Sequence, residues 1–335
     1  MRRGWSGAVA AVLLFTAAAA GCTQSGSGRV GAAAPSVPAV PVQPSGQLFY
    51  VSGTGSAAQQ TAELRREGRT QEAAELARIA DQPGALWLGG PDARAQAEQL
   101  TLEASRVGRT ALLVAYDIPH RDCGQYSAGG AADAAAYRSW IAEVAAGISD
   151  RAAWVVLEPD AVAHTLDGCL RGADADERYA LLADAVEELG RRPRVRVYLD
   201  AGNAGWVKQP EQLAAALRRA GVGRAAGFAV NVANFYSTQE SAAYGQRISA
   251  ALGGAHFVID TSRNGNGPLG GDEWCNPPGR ALGEAPTTRT GRERVDAYLW
   301  IKNPGESDGQ CRPGAPAPGR FWTDYALELV RNTGR

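Results

Sequence analysis

Acidic side chains fall at the ends of short apolar runs, where they could do chemistry. Asp117 and Asp122 follow Ala111–Tyr116, Glu158 and Asp160 follow Ala153–Leu157, and Asp200 follows Val195–Leu199. Asp260 and Arg263 follow His256–Ile259, and Lys302, Glu306 and Asp308 follow Ala297–Ile301. Two carboxyls in different surroundings can divide a reaction between them. One stays protonated and donates to a leaving oxygen, while the other activates water or attacks directly. Cleavage of an acetal asks for such a pair. Other hydrolytic chemistries are poorly served. Three histidines (His120, His164 and His256) are few for a two-metal centre. Carboxylate chemistry with no metal and no cofactor is the expectation.

These groups need a frame. Leu48–Val51, Ala85–Leu88 and Gly227–Val232 are further apolar runs, and Asn231 and Asn234 mark the end of the last. Between the runs lie helical patterns such as Ala131–Ile148 and Glu177–Leu189. Continuous apolar strands separated by helices indicate a parallel sheet covered on both faces. A doubly wound sheet gathers its site at one switch point. Polar groups at nearly every strand end point instead to an α/β barrel, with its site at the C-terminal ends of the strands.

The chain has 335 residues, 45% of them hydrophobic, and a net charge of −1, so it carries no nucleic-acid footprint. Arg2 and Arg3 precede an apolar stretch from Ala8 to Ala20, which ends in Ala19-Ala20-Gly21-Cys22. The segment resembles a bacterial lipoprotein signal, in which Cys22 becomes the lipidated N-terminus. The expected organisation is a signal over 1–21, a Gly/Ser/Ala/Pro-rich tether over 22–46 and one folded domain over 47–335. Export follows, with the protein on the outer face of the membrane or secreted, and a lipid anchor as its only membrane contact. The other four cysteines, Cys123, Cys169, Cys275 and Cys311, read as two disulfides in any of three connectivities.

The strings themselves carry a resemblance. Tyr116-Asp117-Ile118-Pro119-His120-Arg121-Asp122-Cys123, Leu157-Glu158-Pro159-Asp160 and Tyr198-Leu199-Asp200-Ala201-Gly202 come in order. Asp260-Thr261-Ser262-Arg263-Asn264-Gly265, Glu273-Trp274-Cys275 and the segment Trp300 to Gly309 follow. Together they resemble family-6 glycoside hydrolases, over nearly the whole folded region. The resemblance implies a distorted, incomplete parallel α/β barrel and inverting hydrolysis of β-1,4-glucan, and a monomer is expected. It implies Asp160 as general acid, Asp122 as the second aspartate that keeps that acid protonated, Asp308 as base and Tyr116 beneath the distorted sugar. Arg121, Lys302 and Glu306 are implied to orient the aspartates or hold hydroxyls. Ser127, Asp200 and Asn234 are expected to bind substrate, and Trp87, Trp206 and Trp274 to stack on glucose rings. Trp140, Trp154 and Trp300 read as core. The pairing expected with the resemblance, Cys123–Cys169 and Cys275–Cys311, would set a crosslink beside Asp122 and another beyond Asp308. Asn203 departs from the family pattern, standing where many relatives carry histidine.

The loops from Asp122 to Tyr137 and from Asp308 to Phe321 are short, so an open cleft and internal cleavage are expected. The competing readings are an exo-acting cellobiohydrolase and a catalytically dead surface glucan-binding lipoprotein. Gly265-Asn266-Gly267-Pro268-Leu269-Gly270 fits a nucleotide-loop pattern only formally, since it contains proline and opens no helix.

Overall fold

Short runs of Ala, Val, Leu and Ile are most completely removed from water in a parallel sheet covered on both sides. A computed structural model, which describes residues 43, 45–270 and 273–334, shows that arrangement. The strands are β1 (Leu86–Leu88), β2 (Ala111–Ala115), β3 (Ala153–Leu157), β4 (Val195–Asp200), β5 (Gly227–Val230), β6 (Phe257–Asp260) and β7 (Val295–Leu299). All pair in parallel, in the order β1-β2-β3-β4-β5-β6-β7. The helices are α1 (Ser56–Arg66), α2 (Thr70–Ala80), α3 (Ala93–Arg106), α4 (Ala134–Ile148), α5 (Gly172–Gly190), α6 (Pro210–Arg219), α7 (Thr238–Ala251) and α8 (Thr323–Asn332).

Alternate strand residues divide between two cores, as a period of two requires. Leu112, Val114, Trp154, Val156, Tyr198, Ala229, Val258, Ala297 and Leu299 fill the inside of the curled sheet. Their neighbours Leu113, Val155, Val197, Phe228 and Ile259 face the helices. Trp140, Trp154 and Trp300 are all buried, as expected of core residues. The curl does not close by a ladder. β1 and β7 meet through one bridge, Gly84 with Trp300, and the Trp87 Nε1 donates across the seam to the Ile301 carbonyl at 2.8 Å. The result is a distorted, incomplete α/β barrel.

One expected strand is corrected. Leu48–Val51 joins no ladder and makes a single bridge, Phe49 with Thr110. The Tyr50 N–H and the Leu48 carbonyl bond to the Thr110 backbone, both at 3.0 Å, while Gln43 donates to the Val51 carbonyl at 3.0 Å and accepts from its N–H at 2.9 Å. Ordered contacts therefore reach back into the stretch read as tether. Helix starts follow side chains: Asp133 caps α4 by accepting from Ala136, which moves its start from the expected Ala131, and Ser237 with Glu240 forms a capping box on α7. The signal, Cys22 and most of the tether lie outside the described residues. Among those described, no helix is long and apolar enough to cross a membrane.

Candidate active site

Where short parallel strands end, the loops leave backbone N–H groups in need of acceptors. Three of the eight strand-end acids answer that need. Glu158 accepts from the N–H groups of Asp117 (3.0 Å) and Ile118 (3.1 Å), tying the loop after β2 to that after β3. Asp200 accepts from Asp160 (2.8 Å) and Gly202 (3.1 Å), tying β3 to β4. Asp260 accepts from Ala233 and Lys302, both at 2.9 Å, tying β5 and β7 to β6. These carboxylates are braces. Asp200, expected to touch substrate, is 1% exposed and stands behind the wall of the site, because its accepting oxygen is committed to backbone.

Asp117 accepts from the Gly90 N–H at 3.2 Å, and the remaining four acids face a cleft of about 850 Å³ at the C-terminal ends of the strands. Asp122, Asp160, Asp308, Tyr116, Trp87, Arg121, Ser127, Trp206, Asn234, Trp274, Lys302 and Glu306 all line it. Asp122 and Asp160 sit at φ 56° and 70°, in the left-handed region. That conformation costs a non-glycine residue roughly 1–2 kcal/mol, so surrounding contacts must hold it. For Asp122 they are the Ser127 N–H, donating to Oδ2 at 2.6 Å, and Arg121. The Arg121 guanidinium donates to the carbonyls of Tyr116 (2.7 Å) and Ser127 (2.8 Å) and lies 4.9 Å from the Tyr116 ring centre.

Asp308 is gripped from three sides. Its Oδ2 accepts from Arg263 Nη1 at 2.8 Å and from the Asn276 N–H at 3.0 Å, and Lys302 Nζ lies 3.5 Å from Oδ1. Asn276 returns the contact by accepting from the Asp308 N–H at 2.8 Å. The cleft aromatics are also fixed. Trp87 meets the Tyr116 ring edge-on at 5.2 Å, Trp206 meets His164 at 5.1 Å and donates to Asp167, and Trp274 meets Tyr126 at 6.0 Å. A Cβ on Gly309 would stand 2.5 Å from the Tyr126 ring, so only glycine admits that contact. The short loop after β2 therefore touches the loops after β6 and β7 at this point of the rim.

The surroundings drive the acids apart. Burial first, then the carboxylates of Asp200, Asp122 and Asp167, push Asp160 well above the ordinary carboxyl range. Burial would raise Asp308 as well, but Arg263 and Lys302 outweigh it and hold that group below its usual value. Burial raises Asp122 despite the Ser127 N–H and Arg121, and Asp200 is pushed up to about 7. Burial raises Glu306 against the pull of Lys302 and keeps the Tyr116 phenol firmly protonated. His164, 3% exposed, is driven down to about 4 by burial and is neutral near pH 7.

Cys123–Cys169 and Cys275–Cys311 both form, each with Cα atoms 6.3 Å apart. The first anchors the residue after Asp122. The second anchors the residue before Asn276 and so steadies Asp308. Cys123, Cys169 and His164 are the one grouping of metal-ligating types among the described residues, and its two sulfurs are already bonded to each other. Sequence reasoning gave no role to Arg263, Asn276, Tyr126 or Arg178. Arg263 was visible at the end of its strand, but nothing in its spacing shows that it reaches Asp308, 45 residues on.

An acid held protonated and an acid held ionised, on the rim of an incomplete parallel barrel, define a carboxylate glycoside hydrolase. The chain belongs to glycoside hydrolase family 6, since the family model described as "Glycosyl hydrolases family 6" matches residues 44–333. Endoglucanase A of Cellulomonas fimi is 45% identical over 77% of this chain, which spans 56% of that relative's length. Endoglucanase 1 of Streptomyces halstedii is 41% identical, over 84% of this chain and 88% of its own. Among solved structures, the endoglucanase Cel6 from Mycobacterium tuberculosis, in complex with methyl-cellobiosyl-4-deoxy-4-thio-beta-D-cellobioside, superposes with a TM-score of 0.81. It is 44% identical, over 87% of this chain and 99% of its own.

Proposed function

We propose that the chain is an endo-acting β-1,4-glucanase that hydrolyses with inversion. The contrast between Asp160 and Asp308 carries this reading. Asp160 donates its proton to the departing glycosidic oxygen. Water attacks the anomeric carbon from the opposite face, and its proton passes to Asp308, directly or through a second water. A carboxylate held by Arg263 and Lys302 is a feeble base toward neutral water. It suffices once the water has begun to bond to an oxocarbenium-like carbon and become acidic. The same grip keeps Asp308 ionised at mildly acidic pH, where Asp160 is protonated, so both groups are ready together.

Trp87, Trp206 and Trp274 offer flat faces to the apolar faces of successive glucose rings, and Arg121, Lys302, Glu306, Asn234 and Ser127 address hydroxyls. The similarity to endoglucanases and the short rim loops support internal cleavage. The contact of Tyr126 with Trp274 and Gly309 favours the second reading, exo-action along a partly covered cleft. Carboxymethyl cellulose separates the two. Endo-action drops its viscosity steeply while few reducing ends appear, whereas exo-action releases reducing ends with little early fall in viscosity.

Two disulfides suit an oxidising compartment outside the cytoplasm. The lipid anchor at Cys22 is part of the proposal. Cys22→Ser should move the protein from the membrane to the soluble fraction, and retention on membranes would refute the anchor.

A further inference from the structure

Arg178 lies on α5, outside both loops that bear the cleft aspartates, and it is 3% exposed. A guanidinium stays charged in proteins, so it is buried only where its donors are answered. Backbone carbonyls answer these. Nη2 donates to Pro119 at 2.6 Å and to His120 at 3.4 Å, and Nη1 donates to Ala161 at 3.2 Å. The first two carbonyls belong to the loop that carries Asp122, and the third to the turn that carries Asp160. Glu158 makes the complementary link, accepting from the N–H groups of Asp117 and Ile118. Residues 117–120 are thus held by a buried base through their carbonyls and by a buried acid through their N–H groups. Glu158, Tyr137, Tyr116 and His164 are the titratable groups that face Arg178.

We infer that Arg178 is a positioning residue, a staple that sets the spacing between Asp122 and Asp160 while touching neither substrate nor the reacting atoms. The inference rests on Asp160 acting as the acid and adds what keeps its neighbour in place. Arginine is required because its planar fork reaches carbonyls of two loops at once, whereas a lysine ammonium is a single point. Releasing the staple lets the strained loop of His120, Asp122 and Cys123 relax. Asp122 then withdraws its charge from Asp160, leaving Asp200 and Asp167 to act alone.

Arg178→Met and Arg178→Lys test this against wild type, with Asp160→Asn alongside. On unactivated cello-oligosaccharides, kcat should fall about 10–100-fold in Arg178→Met, with KM changed less than about threefold, as for loss of acid catalysis. Aryl cellobiosides with good leaving groups should lose less, and the basic limb of the pH–rate profile should move to lower pH. Arg178→Lys, which keeps the charge, should be intermediate. A folded variant with a wild-type basic limb and a wild-type ratio of aryl to oligosaccharide rates overturns the staple. So does a loss that vanishes once rates are corrected for the folded fraction. Should Arg178→Met not fold, Arg178→Lys decides by the same two readouts. Full activity of Asp160→Asn on unactivated substrate would instead strike the acid assignment itself.

Discussion

Burial and then three carboxylates, those of Asp200, Asp122 and Asp167, keep the proposed acid protonated. Asp122 approaches across the cleft, and Asp200 approaches from behind, where its carboxylate accepts the Asp160 N–H at 2.8 Å. After burial, Asp200 is the larger influence on Asp160 and Asp122 the smaller. A negative neighbour raises the pKa of a carboxyl, so removing it lowers the pH at which the acid loses its proton. Asp200→Asn should therefore move the basic limb of the pH–rate profile downward, and by more than Asp122→Asn does. The amide oxygen can still accept the Asp160 N–H, so the brace survives the change. A basic limb unmoved by Asp200→Asn, with the fold intact, would contradict this coupling. The order of the two residues was not legible in the sequence. Asp122, Asp160 and Asp200 all look alike there, as acids just past apolar runs, and only burial separates a brace from a group that faces substrate.

At the scale of elements, the strands were legible because an apolar run buried on both faces leaves a plain signature. Seven of the eight expected runs take their places in the sheet. Leu48–Val51 keeps one bridge, to Thr110, and its last residue is tied by Gln43, a side chain eight residues away that leaves no periodic trace. The loops were legible only as motifs. Their geometry depends on left-handed residues at Asp122, Cys123, Glu158 and Asp160, and on which side chain reaches which carbonyl. The disulfides hold that geometry. Cys123–Cys169 spans 46 residues, worth about 4 kcal/mol in the chain-entropy model. Replacing both cysteines with serine should lower Tm by roughly 7 °C. It should also reduce kcat more than KM at temperatures where the variant remains folded, because Asp122 loses its anchor. Calorimetry and steady-state kinetics check the two parts, and a kcat equal to wild type would make this crosslink purely structural.

For the whole molecule, the seam between β1 and β7 and the loops meeting at Tyr126 shape a cleft whose proposed acid and proposed base rise from different parts of the rim. Asp160 follows β3 and Asp308 follows β7, and the proposed reaction sets a water between the sugar and Asp308. Inversion needs carboxyls about 6.5–9.5 Å apart, whereas a retaining pair stands at about 5–5.5 Å and forms a covalent glycosyl-enzyme. The stereochemistry of the first product tests this arrangement and the split between Asp160 and Asp308 together. Time-resolved NMR of the anomeric protons, during hydrolysis of a β-1,4-linked oligoglucan, should show the α-configured product first, followed by mutarotation. Initial β product would contradict both the inverting reaction and the assignment of Asp308.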